Sequence, residues 1–367
     1  MHFALSAVAA GLALAAAPLG DDGFVALEFP LAESGLSLLV TTLDGDATPD
    51  VALIVGTQGQ DPLTLELFRG DGDGGLTHQE SHELIQLGDA NNPAIRAADL
   101  NSDGRDDFGI AGVSPAIWLN AGGFDFAGGA FLPTGGGEPN DLHFTDLDGD
   151  SDLDSILLVQ DLGGWFLDTG LNDGNANFRG LGFDFPPGAP SGVARFLSAD
   201  LDDDGADEII VASHAGLGLS NAPFPGTHVL SGHFSDVLAA DFNADGALDL
   251  ALAAPLDNAV HVLFNDGSGG FPTSVRLRMG RRPTRLAAGD FRGAGLLDLA
   301  VLNRDSHSVA LLHNNGSGGF GFGPRLDVSV DPEEFALADM DTDGDLDVVV
   351  LGNMSKELLV LLNPRVP

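Results

Sequence analysis

The sequence contains no cysteine, which removes disulfides, thiolate metal sites and cysteine nucleophiles from consideration. Basic residues are scarce. Lys and Arg number 15, with Lys356 the sole lysine, against 55 Asp and Glu, for a formal net charge of −40. A field of that sign repels nucleic acid and anionic membranes and attracts cations. A sustained 3.6-residue period is missing, and 51 glycines and 20 prolines mark frequent turns, which argues against a helical protein. Beyond the N-terminus no apolar run is long enough to span a bilayer. No G-x-S-x-G elbow, phosphate loop or H-E-x-x-H pair occurs, although a spatial triad leaves no linear trace. The 10 histidines are scattered; His78 and His82 share one stretch and read as solvated polar side chains.

What is present begins with an apolar run from Phe3 to Ala17, followed by small residues and then charge. That order reads as a secretory signal peptide over residues 1–20. It departs from the usual pattern in having no Lys or Arg before the run, and Ala15 and Ala17 compete as cleavage sites. The expectation is a secreted protein, extracellular or periplasmic, with residues 21–367 as the mature domain.

The remaining chain repeats. The stretches TLDGDATPD, DLNSDGRDD, DLDGDSDLD, DLDDDGADE, DFNADGALD, DFRGAGLLD and DMDTDGDLD begin at Thr42, Asp99, Asp146, Asp200, Asp241, Asp290 and Asp339. Each copy is preceded by a short apolar approach, such as VLAAD at 237–241, and followed by an alternating small and large apolar run, LDLALAA at 248–254. A third strand (AVHVLFN), a turn (NDGSGGF) and a fourth strand (SVRLRM) close the unit. Four short strands with short connections make an antiparallel meander. Units of this size, seven in number, predict an all-β, seven-bladed β-propeller of four-stranded antiparallel blades. The seventh unit lacks a fourth strand, and the N-terminal GFVALEFPL at 23–31 is a spare one. This N-terminal strand is expected to complete the last blade and close the ring.

The spacing D-x-D/N-x-D-G-x-x-D aims side-chain oxygens at positions 1, 3, 5 and 9 of a tight turn toward one point. Only hard oxygen donors are offered, which suits Ca2+ with a backbone carbonyl and water added. It is not an EF-hand: position 12 is apolar (Ile110, Leu252, Val350) and strands flank the turn. Complete sets are Asp99, Asn101, Asp103 and Asp107; Asp241, Asn243, Asp245 and Asp249; and Asp339, Asp341, Asp343 and Asp347. Asp146, Asp148, Asp150 and Asp154 form a set with Ser151 in place of glycine, and Asp200, Asp202, Asp204 and Glu208 end in the longer acid. The first copy keeps Asp44, Asp46 and Asp50 but has Thr42 and Ala47, and is marginal. The sixth has Arg292 and Ala294 at its centre and is expected to bind no metal, Arg292 supplying the positive charge. The competing reading is a set of ordinary Asp/Gly turns.

At these turns, and at the NDGSGGF and NNGSGGF stretches, the chain resembles the FG-GAP/VCBS repeat proteins, which share the β-propeller of integrin α-subunits. The resemblance spans roughly residues 23–363. It implies that each acidic turn is a calcium-binding hairpin between the first two strands of a blade. It leaves the biological role open, because family members include adhesion receptors, lectin-like modules and domains attached to enzymes.

Three further signals are present. The tripeptide RGD at Arg69–Asp71 coincides with a Gly/Asp turn and reads as that turn. Trp118 and Trp165 occupy third strands and read as core. The connection RMGRRPTR at 278–285 belongs to the face opposite the acidic turns. There Arg281, Arg282 and Arg285 are the candidate ligand-face residues for an anionic group, with Arg96, Arg195 and Arg278 nearby. Pairing of these arginines with Glu333, Glu334, Asp236 or Asp141 is the competing reading. The expected function is a calcium-binding module for an extracellular protein or glycan, without enzymatic activity. The alternatives are an enzyme or accessory domain acting on extracellular polymers, and a structural surface-layer repeat protein.

Overall fold

A computed structural model of the chain describes residues 16–19, 24–57, 62–84, 93–112, 114–134, 136–161, 164–180, 193–220 and 227–364. These residues form seven antiparallel sheets. Blades 1 to 6 cover 35–84, 94–131, 138–180, 193–231, 236–278 and 283–327; blade 7 covers 332–362 and takes Phe24–Pro30 as its fourth strand. The first strands of successive blades pack side by side in a closed circle around the axis.

Blade 5 shows how sequence makes the unit. Its strands are Asp236–Ala240, Asp249–Ala254, Ala259–Phe264 and Thr273–Arg278. All six residues of the second strand are buried, whereas the fourth has Leu277 as its one buried residue. The second strand lies between neighbouring blades and loses water on both faces, so it carries an unbroken apolar run. The fourth strand sits at the rim and alternates with polar side chains.

Each blade-to-blade interface has its own apolar core. Between blades 1 and 2, Ile54 and Leu65 pack with Phe108 and Phe126, whose rings stack at 4.5 Å. Between blades 7 and 1, Val349 and Leu351 pack against Val51 and Leu53 over Met340. Burial of each such side chain contributes about 1.5–3 kcal/mol. Trp118 and Trp165 lie partly buried against the cores between blades 1 and 2 and between blades 3 and 4.

The ring closes through the N-terminal strand. Val25 pairs with Leu362 and Pro30 with Glu357, antiparallel. Ala16–Leu19 adds a fifth strand outside it, with Leu19 opposite Phe24. Most of the expected signal peptide, including its apolar run up to residue 15, lies outside the described residues. Among the described residues no helix is long and apolar enough to cross a membrane.

Candidate metal centres and the opposite face

Each acidic turn joins the first and second strands of its blade, and its last acid is the most constrained. Asp50, Asp107, Asp154, Asp249, Asp298 and Asp347 have no exposure, and Glu208 is 5% exposed. One carboxylate oxygen accepts the N–H of position 2: Leu43 to Asp50 at 2.7 Å, Phe242 to Asp249 at 3.0 Å, Met340 to Asp347 at 2.8 Å. The other accepts an N–H at the end of the third strand: Asn120 to Asp107 at 2.8 Å, Asn363 to Asp347 at 2.7 Å. At position 1, Asp241 accepts the N–H of Gly246, and Asp339 that of Gly344. In every turn but the first, position 6 is left-handed, with φ of +92° at Gly246 and +99° at Gly344. Ser151 adopts it at +77° without being glycine. Position 5 closes an Asx turn, as in Ala247 N–H to Asp245 and Asp345 N–H to Asp343.

Among the described residues, three turns bring carboxylate oxygens together. These are Asp146, Asp148 and Asp154; Asp200, Asp202 and Glu208; and Asp339, Asp341 and Asp347, with one oxygen of each residue within 4.8 Å of the others. Burial pushes Asp347 up to about 7, aided by the charges of Asp341 and Asp345. Asp345 rises to about 6 by burial and by the charges of Asp343 and Asp341. Burial also raises Asp154, Glu208, Asp249, Asp107 and Asp50. Asp202 Oδ1 and both carboxylate oxygens of Asp345 are buried without a hydrogen-bond partner. Crowded, unpartnered hard oxygens fit a Ca2+-type cation.

The other turns differ. In blade 2, Arg105 holds Asp103 at 2.6 Å; in blade 5, Asn243 donates its amide N–H to Asp245 at 2.8 Å. In blade 1, the Arg69 guanidinium lies 2.5 Å from Asp44 and 5.3 Å from the centre of the Phe124 ring. Asp71 accepts the N–H groups of Asp73 and Gly75, so the RGD stretch is an Asx turn whose arginine faces an acidic turn. In blade 6, Arg292 forks onto Asp298 and also reaches the Asn314 carbonyl at 2.8 Å. Asp298 raises the pKa of Arg292 through that hydrogen bond.

Sequence reasoning missed the asparagine that ends the third strand. Asn314 is buried, and its Nδ2 donates to the Leu297 carbonyl of its own blade and the Phe242 carbonyl of blade 5. Asn120 links to Leu43, Asn172 to Leu100, Asn265 to Leu201 and Asn363 to Phe291 in the same way. Each latch bridges position 2 of one acidic turn to the next blade. At the 7–1 junction the Gly74 N–H donates to the Met340 carbonyl instead. The available signal was the Asn before each turn in WLN, GLN, LFN, LHN and LLN.

The arginines of the opposite end divide into two groups. Arg195 lies 3.3 Å from both Asp141 and Asp236 and 3.6 Å from Glu334. Arg96 lies 2.5 Å from Asp141, and Arg285 lies 3.6 Å from Glu334. These side chains come from first strands and form a ring of charge around the axis. Carboxylates in it also accept backbone N–H groups of the next blade, Leu286 to Asp236 and Leu38 to Glu334, both at 2.8 Å. Burial opposes ionisation of Asp141, but Arg96 and Arg195 hold its pKa below the usual carboxylate value. Arg285 therefore belongs to the channel. Arg281 and Arg282 are exposed and line a separate cleft with His214, His233, Asn258 and Thr284. The expected island of three arginines is thus split.

A family model described as an FG-GAP-like repeat matches residues 43–110, 241–301 and 290–350. No curated protein matches the sequence. Solved structures share the fold at low identity. A lectin from Agrocybe aegerita, described as recognising non-reducing terminal N-acetylglucosamine, aligns with TM-score 0.55 and 19% identity over 81% of each chain. BBS1N in complex with ARL6DN aligns with TM-score 0.64 and 12% identity, covering 92% of this chain and 95% of that one. A catalytically inactive virginiamycin B lyase from Staphylococcus aureus, solved with quinupristin, gives 0.59 and 13%, covering 92% and 99%. Acidic turns, blade order and the matched repeats together make this an FG-GAP-type repeat β-propeller.

Proposed function

We propose that the protein is a secreted, calcium-stabilised propeller that binds an extracellular glycan or protein. The observation that carries this reading is the division of labour between the two ends of the blades. One end gathers carboxylates, among them Asp148, Asp202 and Asp341, in metal-like clusters. The other presents an open cleft with exposed arginines and stacked histidines. The Phe3–Ala17 run supports export, and the lectin with the same fold supports glycan recognition as the kind of task the scaffold performs. The test is a screen against immobilised glycans and extracellular proteins in calcium and in chelator. Selective binding that weakens when calcium is removed is the expected result.

One observation favours an enzyme acting on extracellular polymers. His78 Nε2 lies 2.6 Å from Glu66 and 3.0 Å from Ser81 Oγ, at the rim of blade 1. However, Ser81 donates its hydroxyl to Glu66 at 2.6 Å, and both partners compete for one imidazole nitrogen. A nucleophile–base–orienter relay needs the two ring nitrogens divided between them. We therefore favour a binder over an enzyme.

A further inference from the structure

We propose that the cleft where blades 4, 5 and 6 meet binds a saccharide end bearing a single carboxylate. This rests on the reading of the protein as a binding module and specifies the ligand of that module. The cleft measures about 570 Å³ and is lined by His214, His233, Leu256, Arg281, Arg282 and Thr284, among others. That volume falls within the ~300–1,000 Å³ usual for small-ligand sites.

Its floor is preorganised. The 279–283 connection is tied on both sides: Arg281 N–H donates to Ser306 Oγ at 2.6 Å, and Arg282 N–H to Asn258 Oδ1 at 2.8 Å. The Met279 N–H donates to the Asn258 carbonyl, and the Arg304 N–H to the Arg282 carbonyl, both at 2.9 Å. Arg282 and Asn258 are both held in the left-handed region, at φ +56° and +47°.

The chemistry of the walls selects the ligand. The His214 and His233 rings stack at 4.0 Å with 12° between planes, and Leu256 beside them is 74% exposed. Flat rings and an exposed leucine accept the C–H face of a sugar. His233 Nδ1 and Thr284 Oγ1 are buried at the cleft with no hydrogen-bond partner; a hydroxyl-bearing ligand satisfies them. Asp305 lies 3.6 Å from Arg282, whereas Arg281 reaches Asp305 through its carbonyl oxygen. Among the described residues, Arg281 has no carboxylate partner. One uncompensated guanidinium calls for one carboxylate. A polyanion would meet the repulsion of a chain carrying −40 elsewhere.

The test is calorimetric titration in calcium with oligosaccharides ending in glucuronate, galacturonate or sialate, their neutral counterparts, and an acidic peptide. At least one acidic saccharide should bind about tenfold or more tighter than its neutral counterpart. Arg281→Gln/Arg282→Gln should lose that preference at unchanged melting temperature, because both side chains are exposed. Arg179→Gln, at the rim of blade 3, should keep it, and His233→Ala should weaken acidic and neutral forms alike. Equal affinity for acidic and neutral saccharides, preference for the peptide, or full affinity in the double variant would overturn the proposal. A different glycan or protein bound unchanged by the double variant removes this cleft and leaves the binding-module reading standing. An empty outcome in the wider screen removes both.

Discussion

Arg292 forms a two-bond fork on Asp298, Nε to Oδ2 at 3.0 Å and Nη2 to Oδ1 at 2.7 Å, and the carboxylate it holds has no solvent exposure. The guanidinium thus supplies positive charge in the one turn whose central acids are missing. Removing it as Arg292→Ala leaves a buried acceptor unsatisfied and should cost about 1–3 kcal/mol in saturating calcium. A melting temperature equal to wild type would refute the substitution. Arg292→Asp/Ala294→Asp restores the acidic spacing, and calorimetry should then count one more bound calcium than in wild type.

Calcium should control stability through the three converging turns. Each occupied site adds about 2.7 kcal/mol when free calcium is a hundredfold above its dissociation constant. Excess chelator should therefore lower the melting temperature. Asp202→Asn and Asp341→Asn should each reduce the bound calcium by one, whereas Asp44→Asn should not, because Arg69 already occupies that carboxylate. Identical melting in calcium and chelator would refute the metal assignment.

The asparagine latch should be stabilising and independent of metal. Asn314→Ala strands the buried carbonyl of Phe242, at about 1–3 kcal/mol, and frees the part-buried carbonyl of Leu297. Chemical denaturation of this variant should show the same loss with and without calcium. A loss confined to calcium-loaded protein would make the asparagine part of the metal site instead.

Acid should loosen the channel ring. The pKa of Asp141 is lowered in the folded state, so its stabilisation is present above its unfolded pKa of about 3.9 and is lost as pH falls through the lower folded value. The stability difference between wild type and Asp141→Asn should be constant near neutrality and shrink below about pH 4. A difference that grows with acid would reverse the assignment.

Ser151 carries a left-handed backbone that costs a non-glycine residue about 1–2 kcal/mol. Ser151→Gly should stabilise the protein by about 1 kcal/mol or less, after the entropy glycine adds to the unfolded chain. A destabilised variant would show that the serine side chain contributes to its turn.

The blade count, the strand order and the closing strand were legible because apolar periodicity and glycine-rich turns are local signals. The acidic turns were legible for the same reason, since Asp339, Asp341 and Asp347 lie within nine residues. The charge balance across blades was legible only in part. Asp141, Asp236 and Glu334 stood in the sequence as the competing partners of the arginines, and Arg195 pairs with all three. That Arg69 reaches Asp44 from the third strand, and which arginine meets which acid, are set by curvature and strand order, which no short window contains. Arg285 shows the limit well: it is a near neighbour of Arg281 and Arg282 in sequence, but a bulge after Pro283 places it on the first strand, facing the channel.

The pairing of Val25 with Leu362 also sets an order of events during synthesis. The strand Phe24–Pro30 leaves the ribosome early, yet its partner Glu357–Leu362 emerges only after every other blade. Blades 1 to 6 can assemble by neighbour contacts as they appear, while this early strand waits for its blade 7 partner, with one edge facing Ala16–Leu19 and the other open. Closure then joins blade 7 to the N-terminal strand and to blade 1, contacts of very long sequence separation, the slowest kind to find. Until it forms, the nascent protein exposes strand edges at both ends of the stack, and this interval is when it is most prone to pair with another copy of itself.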